Sequence, residues 1–173
     1  MRYRRRMLTV VIETLNDEDA LAATLAALVP AAVEGLVREV IVHDRGSSDA
    51  TVTISDHAGC TLVEPGGLGR GLKAARGTWL LLLEPGALPG EGWMEAAANH
   101  VGTQRRAARF SPARRGVLPL LKRLFARTSP LADGVLVSKA EALSRYRPEG
   151  GLETVARGLR RCRLNAAIGF ASR

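Results

Sequence analysis

The chain has 173 residues and a formal charge of +8, from 25 Lys and Arg against 17 Asp and Glu. That length suffices for one domain with a real core and is too short for two comfortable ones. A hydrophobic content of 46% excludes a largely disordered chain, and no apolar run approaches the roughly 20 residues needed to span a bilayer. The basic excess attracts phosphate-bearing partners in general (nucleic acid, anionic lipid, nucleotide-linked substrates) without choosing among them.

The opening Met1-Arg-Tyr-Arg-Arg-Arg-Met7 has the charge of a signal-peptide n-region. The apolar run behind it is short and meets Glu13, Asp17 and Glu18, so export is not expected. Cys60 and Cys162, without CxxC spacing, fit a reducing cytoplasm and argue against structural zinc.

Val10-Val-Ile12 reads as a strand buried on both faces. It breaks at Glu13-Thr14, and Asn16 or Asp17 is placed to cap a helix whose Leu21, Leu25 and Leu28 share one stripe. Pro30 and Gly35 mark the next loop. Glu39-Val-Ile-Val-His-Asp44 is a second strand ending in an acid, followed by the turn formers Arg45 to Asp49, with Ser48 placed to cap a short helix that Gly59 closes. Cys60 to Val63 is a third strand. Gly66-Gly-Leu-Gly-Arg-Gly71 precedes a short helix around Leu72 to Arg76 that Gly77 closes, and Trp79-Leu-Leu-Leu-Leu83 is a fourth strand, the most apolar of all. It ends at Glu84-Pro-Gly86, before a helix from about Trp93 to Val101. Strands alternating with helices in this way imply a doubly wound, mainly parallel, Rossmann-like α/β sheet, whose ligands bind beyond the carboxyl ends of the strands.

The later part differs in character. No acid lies between Glu95 and Asp133, while Arg105, Arg106, Arg109, Arg114, Arg115, Lys122, Arg123 and Arg127 all do. Val117 to Leu121 with Leu124 and Phe125 adds an amphipathic face. Gly134 to Val137 reads as one more strand, Lys139 to Arg145 as a helix, Pro148 to Gly151 as a turn, and Leu152 to Arg163 as a basic C-terminal helix. The expected organisation is a single domain over 1–173, with a nucleotide-binding half at about 8–101 and a basic acceptor-side half at about 102–173.

Several residues are candidates for chemistry. Asp44, at a strand end beside Thr14 and Asn16, can accept hydrogen bonds from a base or ribose, although plain turn formation explains it too. The glycines at 66 to 71 with Arg70 let backbone N–H groups and a guanidinium approach a diphosphate, though a GxGxxG after the third strand is not a dinucleotide fingerprint and a flexible connector reads equally well. Glu84 projects from a sheet edge where a metal ligand often stands, but as one carboxylate it makes a thin shell for Mg²⁺ or Mn²⁺. His43, His57 and His100 have no ligand or triad spacing and read as packing or surface residues. Nucleic-acid binding is disfavoured: no RNP-type or helix-turn-helix pattern occurs, and aromatic residues are few.

With those residues in place, the sequence resembles the family 2 glycosyltransferases of GT-A fold. Val10 to Glu18 looks like their V-V-I-P-T-L-N-E, Glu39 to Thr51 is similar to E-V-I-V-V-D-G-G-S-T-D-G-T, and Gly69 to Leu83 resembles the segment leading to their D-x-D. The resemblance covers residues 8 to about 93 in order and spacing. It implies a nucleotide-diphospho-sugar donor, with Thr14, Asn16 and Asp44 around the nucleoside and Arg70 near the diphosphate. Glu84-Pro-Gly86 stands at the D-x-D, so Glu84 alone is left for Mg²⁺ or Mn²⁺. Leu152 to Arg161 is similar to the family's E-D region, with Glu153 as the implied catalytic base and Thr154 in place of the Asp; Asp133-Gly134 resembles the G-D-Q segment only loosely. Arg70, Lys73 or the arginine-rich segment could act as a cationic clamp, and Glu149 is a second candidate base.

Two functions are therefore expected in competition. The first is sugar transfer to an unknown acceptor, lipid-linked or otherwise anionic, by a cytoplasmic protein peripheral to the inner membrane face. The second is a catalytically degenerate GT-A module that binds nucleotide sugar or a partner without turnover.

Overall fold

The computed structural model describes residues 8–112 and 129–171. The first half follows the expected alternation: β1 (Leu8–Thr14), α1 (Glu18–Val33), β2 (Val37–Asp44), α2 (Thr51–His57), β3 (Thr61–Val63), α3 (Leu68–Ala74) and β4 (Trp79–Leu83). Then come β5 (Ala87–Pro89), α4 (Trp93–Thr103), β6 (Ala108–Pro112), β7 (Val135–Ser138), α5 (Lys139–Arg145), a 3₁₀ turn at Pro148–Gly150, α6 (Gly151–Ala156) and β8 (Cys162–Phe170). They build one eight-stranded sheet in the order β3-β2-β1-β4-β7-β6-β8-β5.

β1 pairs in parallel with both β2 and β4, and β2 with β3. The chain winds outward from β1 to β3 and returns to the other side of β1 as β4, so the order reverses at β1/β4, where such sheets bind ligands. Beyond β4 the sheet turns mixed: β7 runs antiparallel to β4 and β6, and β5 antiparallel to β8.

Three local expectations give way to packing. α1 runs through Pro30 to Val33, because Leu28 and Ala31 on either side are buried in the core. The segment read as a helix to Arg163 stops at Ala156 and re-emerges as β8, where Leu164, Ala166 and Ile168 alternate into the core. The short β5 and β6 were not legible as strands. Val117 to Phe125 lies outside the described residues.

Alternation divides each central strand between two layers. Val10, Ile12, Val42, Leu81 and Leu83 join Leu21, Leu25 and Leu28 of α1 and Trp93 and Ala97 of α4. Val11, Ile41, Leu80, Leu82, Val135 and Val137 join Leu68 and Leu72 of α3, Ala142 of α5 and Leu152 and Val155 of α6. All five β4 residues are buried, which is why that strand reads as a continuous apolar run.

Leu82 is 0% exposed and Val33 82%. Leu82→Ala is therefore expected to lower the unfolding free energy by about 2–5 kcal/mol, and Val33→Ala by less than about 0.5 kcal/mol. Urea denaturation of the two variants checks the contrast.

Candidate functional site

The carboxyl ends of β1 and β2 lie side by side, with Thr14 opposite Asp44 and Glu13 opposite His43. The two pairs face opposite sides of the sheet, because neighbouring strand residues alternate.

On the α1 side, the Asp44 carboxylate organises the turn after β2. Its Oδ2 accepts from the Gly46 and Ser47 N–H groups at 3.1 and 3.0 Å, and its Oδ1 accepts from the Ser47 hydroxyl at 2.5 Å. Asn16 has φ 54°, a left-handed conformation that Asn tolerates better than most residues. There its N–H donates to Ser47 Oγ at 2.8 Å, and its Oδ1 accepts from the Ser48 N–H at 2.8 Å. The Arg45 N–H donates to the Thr14 carbonyl at 3.0 Å, and Glu18 Oε2 accepts from the Ala50 N–H at 2.7 Å. The β1–α1 and β2–α2 loops are thus stitched into one unit. Thr14, Asn16 and Asp44 meet within it, their side-chain oxygens engaged by the loops themselves.

Of the expected caps, Asp17 holds the N-cap position and Ser48 does not, the N-cap of α2 being Ala50. Asp17 is the N-cap of α1 without a side-chain capping bond. At α2, Asp49 Oδ1 accepts from the Thr51 N–H at 3.0 Å. Its carboxyl is held below the ordinary Asp range, chiefly by the hydrogen bond to the Thr51 side chain.

On the other side, Glu13 and His43 line a cleft of about 380 Å³ together with Arg45, Pro65, Gly66, Tyr146, Glu149 and Glu153. Pro148, Gly150 and Gly151 complete the wall. Strand ends supply the floor, the loop before α3 one flank, and the α5–α6 connection the far wall. His43 Nδ1 lies 3.0 Å from Glu13 Oε2, with the His43 side chain 9% exposed. Tyr146 packs over Gly69, where a Cβ would stand 2.9 Å from the ring. Desolvation, first among its causes, raises the Tyr146 pKa, so its phenol stays protonated at neutral pH.

Glu13 and Tyr146 escaped the sequence reading, and His43, read there as a packing or surface residue, lines the cleft. Parity was the available signal: once Thr14 and Asp44 are assigned to one face, residues 13 and 43 must occupy the other.

The remaining candidates are dispersed around this cleft. Glu153 lines it and is clamped by Arg157 Nη2 at 2.6 Å, one helical turn away. Thr154 holds the wall: its hydroxyl donates to the Gly151 carbonyl at 2.7 Å and accepts from the Arg147 N–H at 3.0 Å. Asp133 pairs with Arg109 at 2.8 Å. Arg70 is exposed on α3, which begins just after the flanking loop. Glu84 is half-buried at the end of β4. Two positions on, the Gly86 N–H is tied to the Ala20 carbonyl and to Thr24 Oγ1, at 2.9 and 2.8 Å. That backbone bends the chain against α1 and offers no second carboxylate. Among the described residues no group of three or more His, Cys, Asp or Glu is placed to hold a metal ion. Glu84 on its own does not make a protein metal site; an ion there would need phosphate oxygens from a ligand. Burial pushes the Cys60 thiol up to about 11.

The cleft is acidic inside a basic protein. Glu13, Glu149 and Glu153 line it with Arg45 as the one Lys or Arg among the described residues of its lining, so the cationic excess lies elsewhere. No helix among the described residues is long and apolar enough to cross a membrane.

No protein-family model and no curated protein matches the sequence. Solved structures match its fold. One is glucosyl-3-phosphoglycerate synthase from Mycobacterium tuberculosis in complex with Mn²⁺, uridine diphosphate and glucosyl-3-phosphoglycerate, at TM-score 0.59 and 21% identity, covering 79% of this chain and 58% of that one. The same synthase with phosphoglyceric acid gives 0.60 and 22%, with the same coverage. A mycobacterial protein gives 0.60 and 21%, covering 79% of this chain and 54% of its own. The fold is therefore the one these structures share, an α/β fold of GT-A type, and this chain spans less than two thirds of those structures.

Asp44→Ala removes the acceptor for the Gly46 and Ser47 groups and is expected to lower stability by about 1–3 kcal/mol, with Asp44→Asn milder because one oxygen still accepts. Thermal and urea unfolding check both. Because the Asp49 pKa is depressed in the fold, its contribution is present above the unfolded-state value of about 3.8 and lost as pH falls through the lower folded-state value. The stability deficit of Asp49→Asn is accordingly expected at pH 7 and absent well below pH 3.8, read from unfolding curves at both pH values.

Proposed function

We propose that this protein binds a nucleotide-diphospho-sugar and transfers its sugar to an acceptor. The observation that carries this reading is a cleft at the carboxyl ends of β1 and β2, beside the order reversal, in a GT-A fold. The solved relatives hold Mn²⁺, Mg²⁺, uridine diphosphate or UDP-glucose.

In this reading the loop unit of Thr14, Asn16 and Asp44 backs the cleft from the other face of the sheet and fixes Arg45 at the rim that receives the nucleoside. Arg70 reaches the diphosphate from the flank of the cleft, where a guanidinium matches phosphate oxygens. Glu84 would hold Mg²⁺ or Mn²⁺ together with the phosphates of the donor; the bound ion would neutralise charge developing on the leaving diphosphate. Glu153 takes the proton from the acceptor hydroxyl as that oxygen bonds to the sugar carbon, a contribution of about 10²–10⁴-fold. Residues 8–101 thus act as the donor half and 102–173 as the acceptor half of one domain. An anionic or lipid-linked acceptor would be drawn by Arg105, Arg106 and Arg109 rather than by the acidic cleft, and membrane association would be peripheral.

A second reading, nucleotide-sugar binding without turnover, has its own support. Gly86 supplies no metal ligand, and the Thr154 hydroxyl is committed to the wall.

Thermal shift with UDP, GDP and their sugars, with and without Mn²⁺, tests the donor site. Stabilisation by at least one nucleoside diphosphate is expected, larger with Mn²⁺; absence of any shift refutes the proposal. Arg70→Ala is expected to weaken a diphosphate about tenfold or more while sparing the nucleoside, from the loss of about 1.5–3 kcal/mol of charge-assisted hydrogen bonding. If a sugar-transfer or donor-hydrolysis rate is found, Glu153→Gln should lower kcat by about 10²-fold or more; no measurable rate with any donor favours the binding-only reading.

A further inference from the structure

The Glu13–His43 pair belongs to neither half of the chemistry above. It stands at positions where the resemblance has Pro and Val, registered opposite each other across β1 and β2. Both residues line the cleft. A carboxylate only accepts hydrogen bonds, so at 3.0 Å from Glu13 Oε2 the His43 Nδ1 is the protonated nitrogen. The other ring nitrogen, Nε2, is buried and has no hydrogen-bond partner among the described residues, on a residue that is 7% exposed. In the tautomer that carries its one proton on Nδ1, the ring offers Nε2 as a lone-pair acceptor. An orphaned buried polar atom on a residue that lines a cleft is a cost unless something completes it.

The surroundings define what completes it. Glu13, Glu149 and Glu153 add further acceptors and negative charge, while Arg45 is the cation in the lining. Such a lining repels a phosphate and favours an uncharged donor with a carbonyl beside it, the donor for Nε2 and the carbonyl for Arg45. The ring N–H of uracil and of guanine, each next to a carbonyl, has that pattern; the ring nitrogens at the pairing edge of cytosine and adenine carry no hydrogen.

We infer that His43, held by Glu13, is the base-selecting residue of the cleft: Nε2 accepts the ring N–H of a uracil- or guanine-type nucleobase. This inference rests on the nucleotide reading of the site and adds which base it takes. Because Nε2 is covered, the base engages it by a small displacement of the ring or of the Tyr146–Gly151 wall. Glu13 is a positioning residue, since it acts through the imidazole. Its carboxylate is closely packed: a Cβ at Gly151 would stand 2.5 Å from Glu13 Oε2.

Calorimetric titration of the full chain with UDP, GDP, CDP, ADP, N3-methyl-UDP and N1-methyl-GDP decides it. UDP or GDP is expected to bind tightest, and methylation of its ring nitrogen to weaken it tenfold or more, as is CDP relative to UDP. In His43→Leu, where no acceptor remains, the loss on methylation should shrink to about twofold or less. Glu13→Gln, which still accepts from Nδ1, should retain the discrimination and guards against a His43 variant that does not fold. Equal affinity of the unmodified protein for UDP and N3-methyl-UDP, or for GDP and its N1-methyl form, overturns the inference and leaves the nucleotide site standing. Binding of no nucleoside diphosphate overturns the site itself.

Discussion

The pairing register of β1 against β2 is the constraint on which the rest of the site depends. It sets Thr14 beside Asp44 and Glu13 beside His43, and a slip of one residue would exchange the two faces. One pair is built into a hydrogen-bonded loop unit, the other into the floor of a cleft. The register is held by burial on both faces: Val10, Val11, Ile12, Ile41 and Val42 are each 0–1% exposed. Full burial of each such side chain contributes roughly 1.5–3 kcal/mol, so the alternatives to this register are strongly disfavoured.

The loop unit shows how side chains stabilise backbone that no ladder can satisfy. Asp44 and Asn16 each accept from turn N–H groups, and Ser47 links them by donating to Asp44 and accepting from Asn16. Conformational freedom at the strand ends is thereby lost during folding rather than during ligand binding, which favours affinity. The opposite wall is organised in the same way by Thr154, whose hydroxyl bridges the Gly151 carbonyl and the Arg147 N–H. The site is thus assembled from segments more than 100 residues apart, held in place by short-range polar contacts at each wall.

The charge distribution separates two questions that the net charge merges. A formal +8 suggests a protein made for anions, yet the cleft gathers Glu13, Glu149 and Glu153. Apart from Arg45 in the lining, cations stand outside it: Arg70 on α3, and Arg109 and Arg157 in ion pairs of their own. A ligand with a neutral head and an anionic tail matches this polarity, head inward and tail toward α3.

The sequence by itself determined most of the first half, residues 8–101. Its strands are short β-branched or leucine runs bounded by turn formers, and those signals are local: β1, β2, β4 and their helices appear where the pattern places them. The family resemblance rested on the same local strings and agrees with the GT-A fold. Only the tertiary structure decided the later half. β8 forms because Ala108 and Arg109 of β6 pair with Cys162 and Arg163, a contact made across more than 50 residues, and no local periodicity reports such a partner. The membership of the cleft was decided in the same way. Period-two alternation states that residues 13 and 14 part company, but which face is hollow depends on where α5 and α6 come to rest. The physical reason is common to both cases: propensity and pattern act over a few residues, whereas a cleft and a mixed sheet are properties of surfaces brought together from distant parts of the chain.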